Sequence, residues 1–293
     1  MASYRFCRPD DLPLLVRALE DCWRVHFPAE PEPTVERFRR EMKELDVWPS
    51  SCMVALGGAG GREPIAVLIG TRRPAEVLVL RVGVRPDYLR QGHASHLLTS
   101  LSQKLAVLGP ERLVAEVPRG MAAAEALLGA VGYEREAVST DWTLAGEALA
   151  AAAGEPVPGE VVAPATVADL AAAGALEIPP GVAWERQRST LLQRADRLAA
   201  LAVAGAERIE AWLVYEPETA AGAPIDVWAT GCAAPERSEP LLALLLRALA
   251  ARTGRPLRLP RLGAGELPEG LPAALGFTPG AEYTRWAARA RPL

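Results

Sequence analysis

Apolar positions change period repeatedly along the first half of the chain. The run at 4–9 reads as a short strand, and the residues after it fall into helical spacing, predicting a helix near 10–22 and a second near 34–45. Alternating or continuous apolar runs predict strands over about 52–57 and 64–71. The turn Gly57-Gly58-Ala59-Gly60-Gly61 separates them. A strongly apolar strand over 76–84 precedes a helix over 92–108 with Leu97, Leu98, Leu101 and Leu105 on one stripe. A strand at 112–117, a helix at 121–130 and strands around 133–144 complete the half. This order predicts an α/β fold, a mixed sheet with helices on its faces.

The pattern then repeats. YRFCRPDDLPLLVRAL near the start has a counterpart in VVAPATVADLAAAGAL from Val161: a short strand, a turn with Pro, an acid before Leu, then a helical stripe. Asp10 and Asp169 are candidate N-caps or first-turn acids, because a carboxylate there accepts orphan N–H groups and suits the helix dipole. Both halves close alike. Gly132-Tyr133 and Gly276-Phe277 each follow a helix as a C′ glycine, before a final strand pair holding Trp142 or Trp286. Two domains, 1–145 and 158–293, are therefore expected, joined by a linker at 146–157 whose Pro/Gly end is extended.

Composition narrows the function. The 293 residues suit two domains. A formal charge of −4 offers no global basic field for nucleic acid. Cys7, Cys22, Cys52 and Cys232 lack CxxC spacing and the three histidines do not cluster, so neither a disulfide framework nor a metal site is expected. The start, MASYRFCRPDD, has no apolar signal-like core, and the most apolar run, 241–246, is cut by Arg247. A cytoplasmic protein without membrane segments, monomeric or homodimeric, is the expectation. Lys stands only at 43 and 104 amid abundant Arg, Ala and Pro, which points to a GC-rich bacterial genome.

Residues 84–98, VRPDYLRQGHASHLL, carry the chemistry. A strand end, a turn with Pro and a helix start at Gly92 would leave successive N–H groups at the positive end of a helix dipole, a site for phosphate. An ordinary strand–turn–helix junction with a capping glycine has the same local pattern.

The segment resembles the acetyl-CoA signature of the GCN5-related N-acetyltransferases (GNAT), through Val84, Pro86, Gly92 and Ala94. Leu89 departs from it, standing where the family has Arg or Gln. The resemblance covers nearly all of 3–145 and implies a mixed, mostly antiparallel sheet whose central strand and parallel neighbour splay apart to take the pantetheine arm. It implies cofactor contacts from Val82, Gly83, Val84, Arg90, Gln91, Gly92, His93, Ala94 and Ser95, with His93 touching phosphate or exposed. Acetyl-CoA as cosubstrate, an amine acceptor and no metal follow from the same likeness.

Family members often use a Glu on a splayed strand and a Tyr before the closing glycine. Leu128 stands at the Tyr position. Glu116 is the leading candidate base and Glu76 the second, each equally readable as a strand carboxylate; Tyr133, Ser139 and Asp141 are candidates for the missing acid. Trp23, His26 and Phe27 fall where the family builds its acceptor wall, or serve as helix-end packing. In the second half, residues 233–240, AAPERSEP, replace the phosphate loop, with Ser238 expected to cap the helix. Pro272 falls at the Tyr position there. The implied protein is a tandem acetyltransferase with one degenerate copy, acting on a small-molecule or peptide amine. A non-catalytic acyl-CoA-binding or interaction protein is the alternative.

Overall fold

The computed structural model describes residues 2–58, 60–145, 161–205, 208–217, 220 and 222–292. Its contacts form two units, Met1–Ala137 with Thr284–Leu293, and Val138–Tyr283. The expected 146–157 linker lies outside the described residues.

The first unit contains β1 (Ser3–Phe6), α1 (Leu12–Leu19), α2 (Val35–Leu45), β2 (Met53–Gly57), β3 (Glu63–Arg72), β4 (Glu76–Val84), α3 (His93–Leu108), β5 (Arg112–Pro118), α4 (Ala122–Ala130) and the start of β6 (Glu134–Leu144). Strands follow the order β1-β2-β3-β4-β5, then the last part of β12 (Thr278–Arg289). The pairs from β1 to β4 are antiparallel, and β4 with β5 is parallel. β3 is buried along nearly its whole length, as a central strand covered on both faces must be. Leu97, Leu98, Leu101 and Leu105 of α3 pack with Ile65, Leu68, Val77 and Leu113 of the sheet in one core. α2 starts at Thr34, whose Oγ1 accepts the Arg37 N–H at 3.2 Å.

The second unit contains the rest of β6, then β7 (Val162–Ala165), α5 (Val167–Ala172), α6 (Arg188–Gln193), β8 (Ala199–Ala204), β9 (Ile209–Glu216), β10 (Ile225–Cys232), α7 (Ser238–Thr253), β11 (Leu257–Gly263), α8 (Leu271–Ala274) and the first part of β12. Its order is β7-β8-β9-β10-β11-β6, and β10 pairs β11 in parallel. Leu241, Leu245, Leu246 and Leu249 of α7 fill its core.

The final strand pair expected in each half is a single long strand, β6 or β12. No turn residue interrupts 134–144, so the backbone stays extended. The contact units divide inside these two strands: Thr284–Leu293 belongs to the first unit and Val138–Leu144 to the second.

The internal repeat is visible in detail. The β3–β4 register slips at Leu80 and the β9–β10 register at Trp228, each three residues before a glycine, Gly83 or Gly231. Both helix ends close the same way: Tyr133 N–H reaches Leu128 O at 3.0 Å, and Phe277 N–H reaches Pro272 O at 2.9 Å. Gly132 and Gly276 hold the left-handed positions, φ 85° and 86°. At the helix starts, Asp169 forms a reciprocal box with Thr166. In the first unit that place belongs to Asp11 and not Asp10, because a 3-10 turn over Pro9–Asp11 precedes α1. The Asp11 carboxylate accepts Arg8 N–H at 2.7 Å and both Arg5 Nη groups at 2.6 Å.

The Arg5 bonds hold the Asp11 carboxyl down to about 2. A depressed folded-state pKa contributes stability that is complete above the unfolded value near 4 and is lost as pH falls through about 2. Asp11→Asn should therefore lower thermal stability by about 1–2 kcal/mol at pH 7, with variant and parent converging between pH 4 and 2. A gap that stays constant across a pH series of melting curves would assign the loss to packing instead.

Candidate functional site

After β4 the chain passes through a 3-10 turn, Pro86–Tyr88, and then alternates: Arg90 is left-handed at φ 62°, and Gly92, the N-cap of α3, at φ 84°. Such alternation turns successive N–H groups into one concavity. The first N–H groups of α3 have no partner within the helix, and its first turn carries no acid. A Cβ built on Gly92 would meet nothing within 4 Å, so this face is open. Arg90 and Gln91 are exposed, and Gln91 Nε2 donates to Asp87 O at 3.2 Å, tying the turn. Ala94 and Ser95 are half-buried, and Leu89 is exposed.

His93 departs from its expected place. Its side chain is only 8% exposed, with Nδ1 2.6 Å from the Tyr4 hydroxyl. The reason is helical period: His93 stands one turn before Leu97 and two before Leu101, on the stripe that faces the sheet. That spacing was readable in the sequence.

β4 and β5 pair only from Glu76↔Arg112 to Leu78↔Val114, then separate. On the other side of β4, Arg85 N–H donates to Ile65 O at 2.9 Å. Hydrogen-bonded pairs alternate in antiparallel strands. Gly83 is therefore turned toward Val67 of β3, while Val82 and Val84 turn their N–H and C=O groups into the gap. Two residues of the expected three thus offer an extended partner a strand edge. Gly83 has another duty: a Cβ there would lie 2.3 Å from Cys22 O. It admits the single π-helical turn, Glu20–Arg24, that continues α1 over β4.

That turn delivers the expected acceptor residues. Trp23 and Phe27 stack with ring centroids 4.2 Å apart, and Trp23 Nε1 donates to Glu30 at 3.0 Å. Arg81 of β4 lies 5.9 Å from the Trp23 ring and pairs with Glu41 at 2.7 Å. Exposed His26 reaches back, its Nε2 2.7 Å from Val84 O.

The two candidate carboxylates meet elsewhere. Arg285, on the part of β12 that joins the first unit, binds Glu116 through Nη1 at 3.2 Å and Glu76 through Nη2 at 2.8 and 2.9 Å. Its Nε contacts Glu136 at 3.3 Å. Arg285 and Glu116 are each 6% exposed. A guanidinium in contact favours the ionised carboxylate, so it opposes proton uptake. No local pattern could have disclosed this partner, which is 169 residues from Glu116.

Leu128 is a buried core residue whose carbonyl closes the α4 end. Tyr133 is buried in the same core, and burial raises its phenol pKa. Ser139 and Asp141 belong to the second unit; Asp141 accepts the Arg261 N–H at 2.7 Å. All four thiols are free, and burial pushes those of Cys7, Cys22 and Cys52 up to about 12. Among the described residues no group of three His, Cys, Asp or Glu side chains is placed to hold a metal, and no helix is long and apolar enough to cross a membrane.

The second unit has the same separation of strands, since β10 and β11 pair only at Ile225↔Leu257 and Asp226↔Arg258. Here a fully buried arginine bridges it. Arg186 Nη1 donates to Val227 O at 3.1 Å and Pro260 O at 2.9 Å, while Nε pairs with Glu266 at 2.6 Å. Ser238 is not a cap. The 3-10 turn Pro235–Arg237 runs straight into α7, and Ser238 Oγ donates back to Pro235 O at 2.7 Å. A cavity of ≈ 520 Å³ beside this turn is lined by apolar residues with Glu177 and Glu266.

Comparison with known proteins bears on family and fold. Residues 12–133 match the Acetyltransferase (GNAT) family. A tandem GNAT protein from the clavulanic acid biosynthesis pathway superimposes with a TM-score of 0.67 at 18% identity, covering 100% of both chains. A GCN5-related N-acetyltransferase from Sphaerobacter thermophilus gives 0.62 at 16% identity, over 99% of this chain and 96% of that one. A putative acetyltransferase from Pyrococcus horikoshii gives 0.58 at 15% identity, over 99% and 90%. No curated protein matches the sequence. Residues 12–133 therefore form a GNAT-family domain, and the whole chain shares the fold of a tandem GNAT protein.

Proposed function

We propose that this chain transfers the acetyl group of acetyl-CoA to an amine of a small molecule or peptide, and that it does so in its first unit. One observation carries the reading: the strand edge at Val82 and Val84, where His26 already meets Val84 O, leads through the Pro86–Tyr88 turn into the N–H concavity over Arg90–Ser95. A flexible amide-bearing arm ending in a pyrophosphate matches that sequence of features, edge first and anion site last. Arg90 and Gln91 stand at the rim, and Gly92, Ala94 and Ser95 act through backbone N–H groups. Trp23, His26 and Phe27 form the acceptor wall. Pairing with Arg285 supports a structural part for Glu116 and Glu76.

The second unit takes no CoA in this reading. Arg186 ties the parting strands together at Val227 O and Pro260 O, and Glu236 and Glu239 stand at the start of α7. A carboxylate close to a phosphate costs on the order of a few kcal/mol. A cytoplasmic location and action without metal complete the proposal.

Calorimetry and thiol release from acetyl-CoA with a panel of primary amines test it. The expected result is one acetyl-CoA per chain and amine-dependent release of free thiol. Two sites per chain would overturn the degeneracy of the second unit. Binding without release on any amine would favour an acyl-CoA-binding protein.

A further inference from the structure

We infer that His26 is the general base that deprotonates the acceptor amine, an assignment that rests on the acetyl-transfer reading above. The partner of the ring sets its tautomer. Val84 O is a carbonyl and can only accept, so the 2.7 Å contact requires the proton of neutral His26 on Nε2. The lone pair is then on Nδ1, and the side chain is exposed. Val84 turns its carbonyl away from β3 and into the gap where β4 and β5 part. The imidazole is thus fastened to the backbone edge along which the thioester would lie, beside the stacked Trp23 and Phe27.

Its position is fixed from both ends. The His26 N–H donates to Trp23 O at 2.9 Å, and the π-helical turn beneath it is seated on Gly83. When Nδ1 takes a proton, the Nε2–H bond to Val84 O persists and becomes charge-assisted. Charged side chains on the elements that hold the ring are paired: Arg24 with Glu20, Arg17 with Asp21, Arg81 with Glu30 and Glu41, Arg85 with Glu63, and Glu76 with Arg285. Glu116 is engaged by Arg285 as well, so neither strand carboxylate is free to compete for the proton.

The step balances without a further reagent. Nδ1 removes one proton from the acceptor ammonium and later returns it to solvent. The neutral nitrogen attacks the thioester carbon, the C–N bond forms, and the C–S pair leaves on sulfur. The remaining extra proton on nitrogen passes to that thiolate, giving amide and free CoA.

Three variants and one spectrum test the assignment, with phenethylamine, an aromatic primary amine matched to the Trp23–Phe27 wall, in the amine panel. His26→Gln keeps a donor for Val84 O but has no base, and His26→Ala removes both. Both should lower kcat about 100-fold, within the usual range for a lost general base, and change the acetyl-CoA KM less than about 2-fold. The acidic limb of kcat/KM in the imidazole range should disappear. Added imidazole should restore part of the His26→Ala activity. In the free protein, 15N shifts should show His26 in the Nε2–H form. Full activity of His26→Gln, absence of imidazole rescue, or an Nδ1–H tautomer would each overturn the base. His26→Asn should match His26→Ala, whereas recovery by Gln alone would mean that the ring only positions β4. If the parent protein binds acetyl-CoA but acetylates no amine in the panel, the transfer reading itself fails and the base with it; an active parent with an indifferent His26 sinks the base alone.

Discussion

Replacing Arg285 with Met should destabilise the protein by about 3–5 kcal/mol, enough to move its first unfolding transition by roughly 10 °C. The guanidinium is 6% exposed and is shared by Glu116, Glu76 and Glu136, whose side chains are 6%, 12% and 37% exposed. Removing it takes a buried cation from two buried carboxylates; Arg112 still reaches Glu76 at 3.2 Å, and Glu136 retains solvent and Arg112. Loss of that buried positive charge beside Glu116 is the source of the expected loss, so Arg285→Met with Glu116→Leu should recover a good part of it. Arg289→Met removes a partner of Glu111 in a pair that is 80% and 54% exposed, and should change stability by less than about 1 kcal/mol. Equal melting temperatures for the Arg285 and Arg289 variants would show that the cluster is not what secures the C-terminal strand. A loss of that size would make Glu116 part of the framework and leave proton transfer to another group.

Gly92→Glu should abolish acetyl-CoA binding, with an affinity loss of 100-fold or more by calorimetry. Two costs combine. A side chain at φ 84° is strained by about 1–2 kcal/mol. A carboxylate set against the pyrophosphate adds up to about 4 kcal/mol at 4 Å and an effective dielectric near 20, less with solvent screening. Where the free loop relaxes out of the left-handed conformation, binding must restore it, and toward the upper ends of these ranges the two costs exceed the 2.8 kcal/mol or so that corresponds to 100-fold. Gly92→Ala isolates the first cost, since its Cβ meets nothing within 4 Å, and should keep affinity within about 10-fold. A Glu at this N-cap suits the helix dipole, which offsets part of the strain, so the melting temperature should fall by only a few degrees. Unchanged acetyl-CoA affinity in Gly92→Glu would remove the loop from the site.

The sequence alone determined the order of elements in the first unit, the internal repeat and the position of the glycine turn before α3. Each is local: alternation and 3.6-residue spacing fix β2 to β5 and α2 to α4 within a residue or two, and a glycine at φ 84° before a helix leaves the same orphan N–H groups in any context. Period also held the answer for His93, whose stripe leads inward through Leu97 and Leu101. Tertiary structure decided the rest. The bulge at Leu80 and the Arg85–Ile65 bond select Val82 and Val84, not Gly83, to face the gap, and a register cannot be read from one strand. Arg285 claims Glu116 from 169 residues away, and Arg186 reaches Pro260 across 74, so the chemistry of those carboxylates and carbonyls was set by partners that no local window contains. The same holds for His26: its residue type was visible in the sequence, but the tautomer that frees Nδ1 comes from a carbonyl 58 residues away.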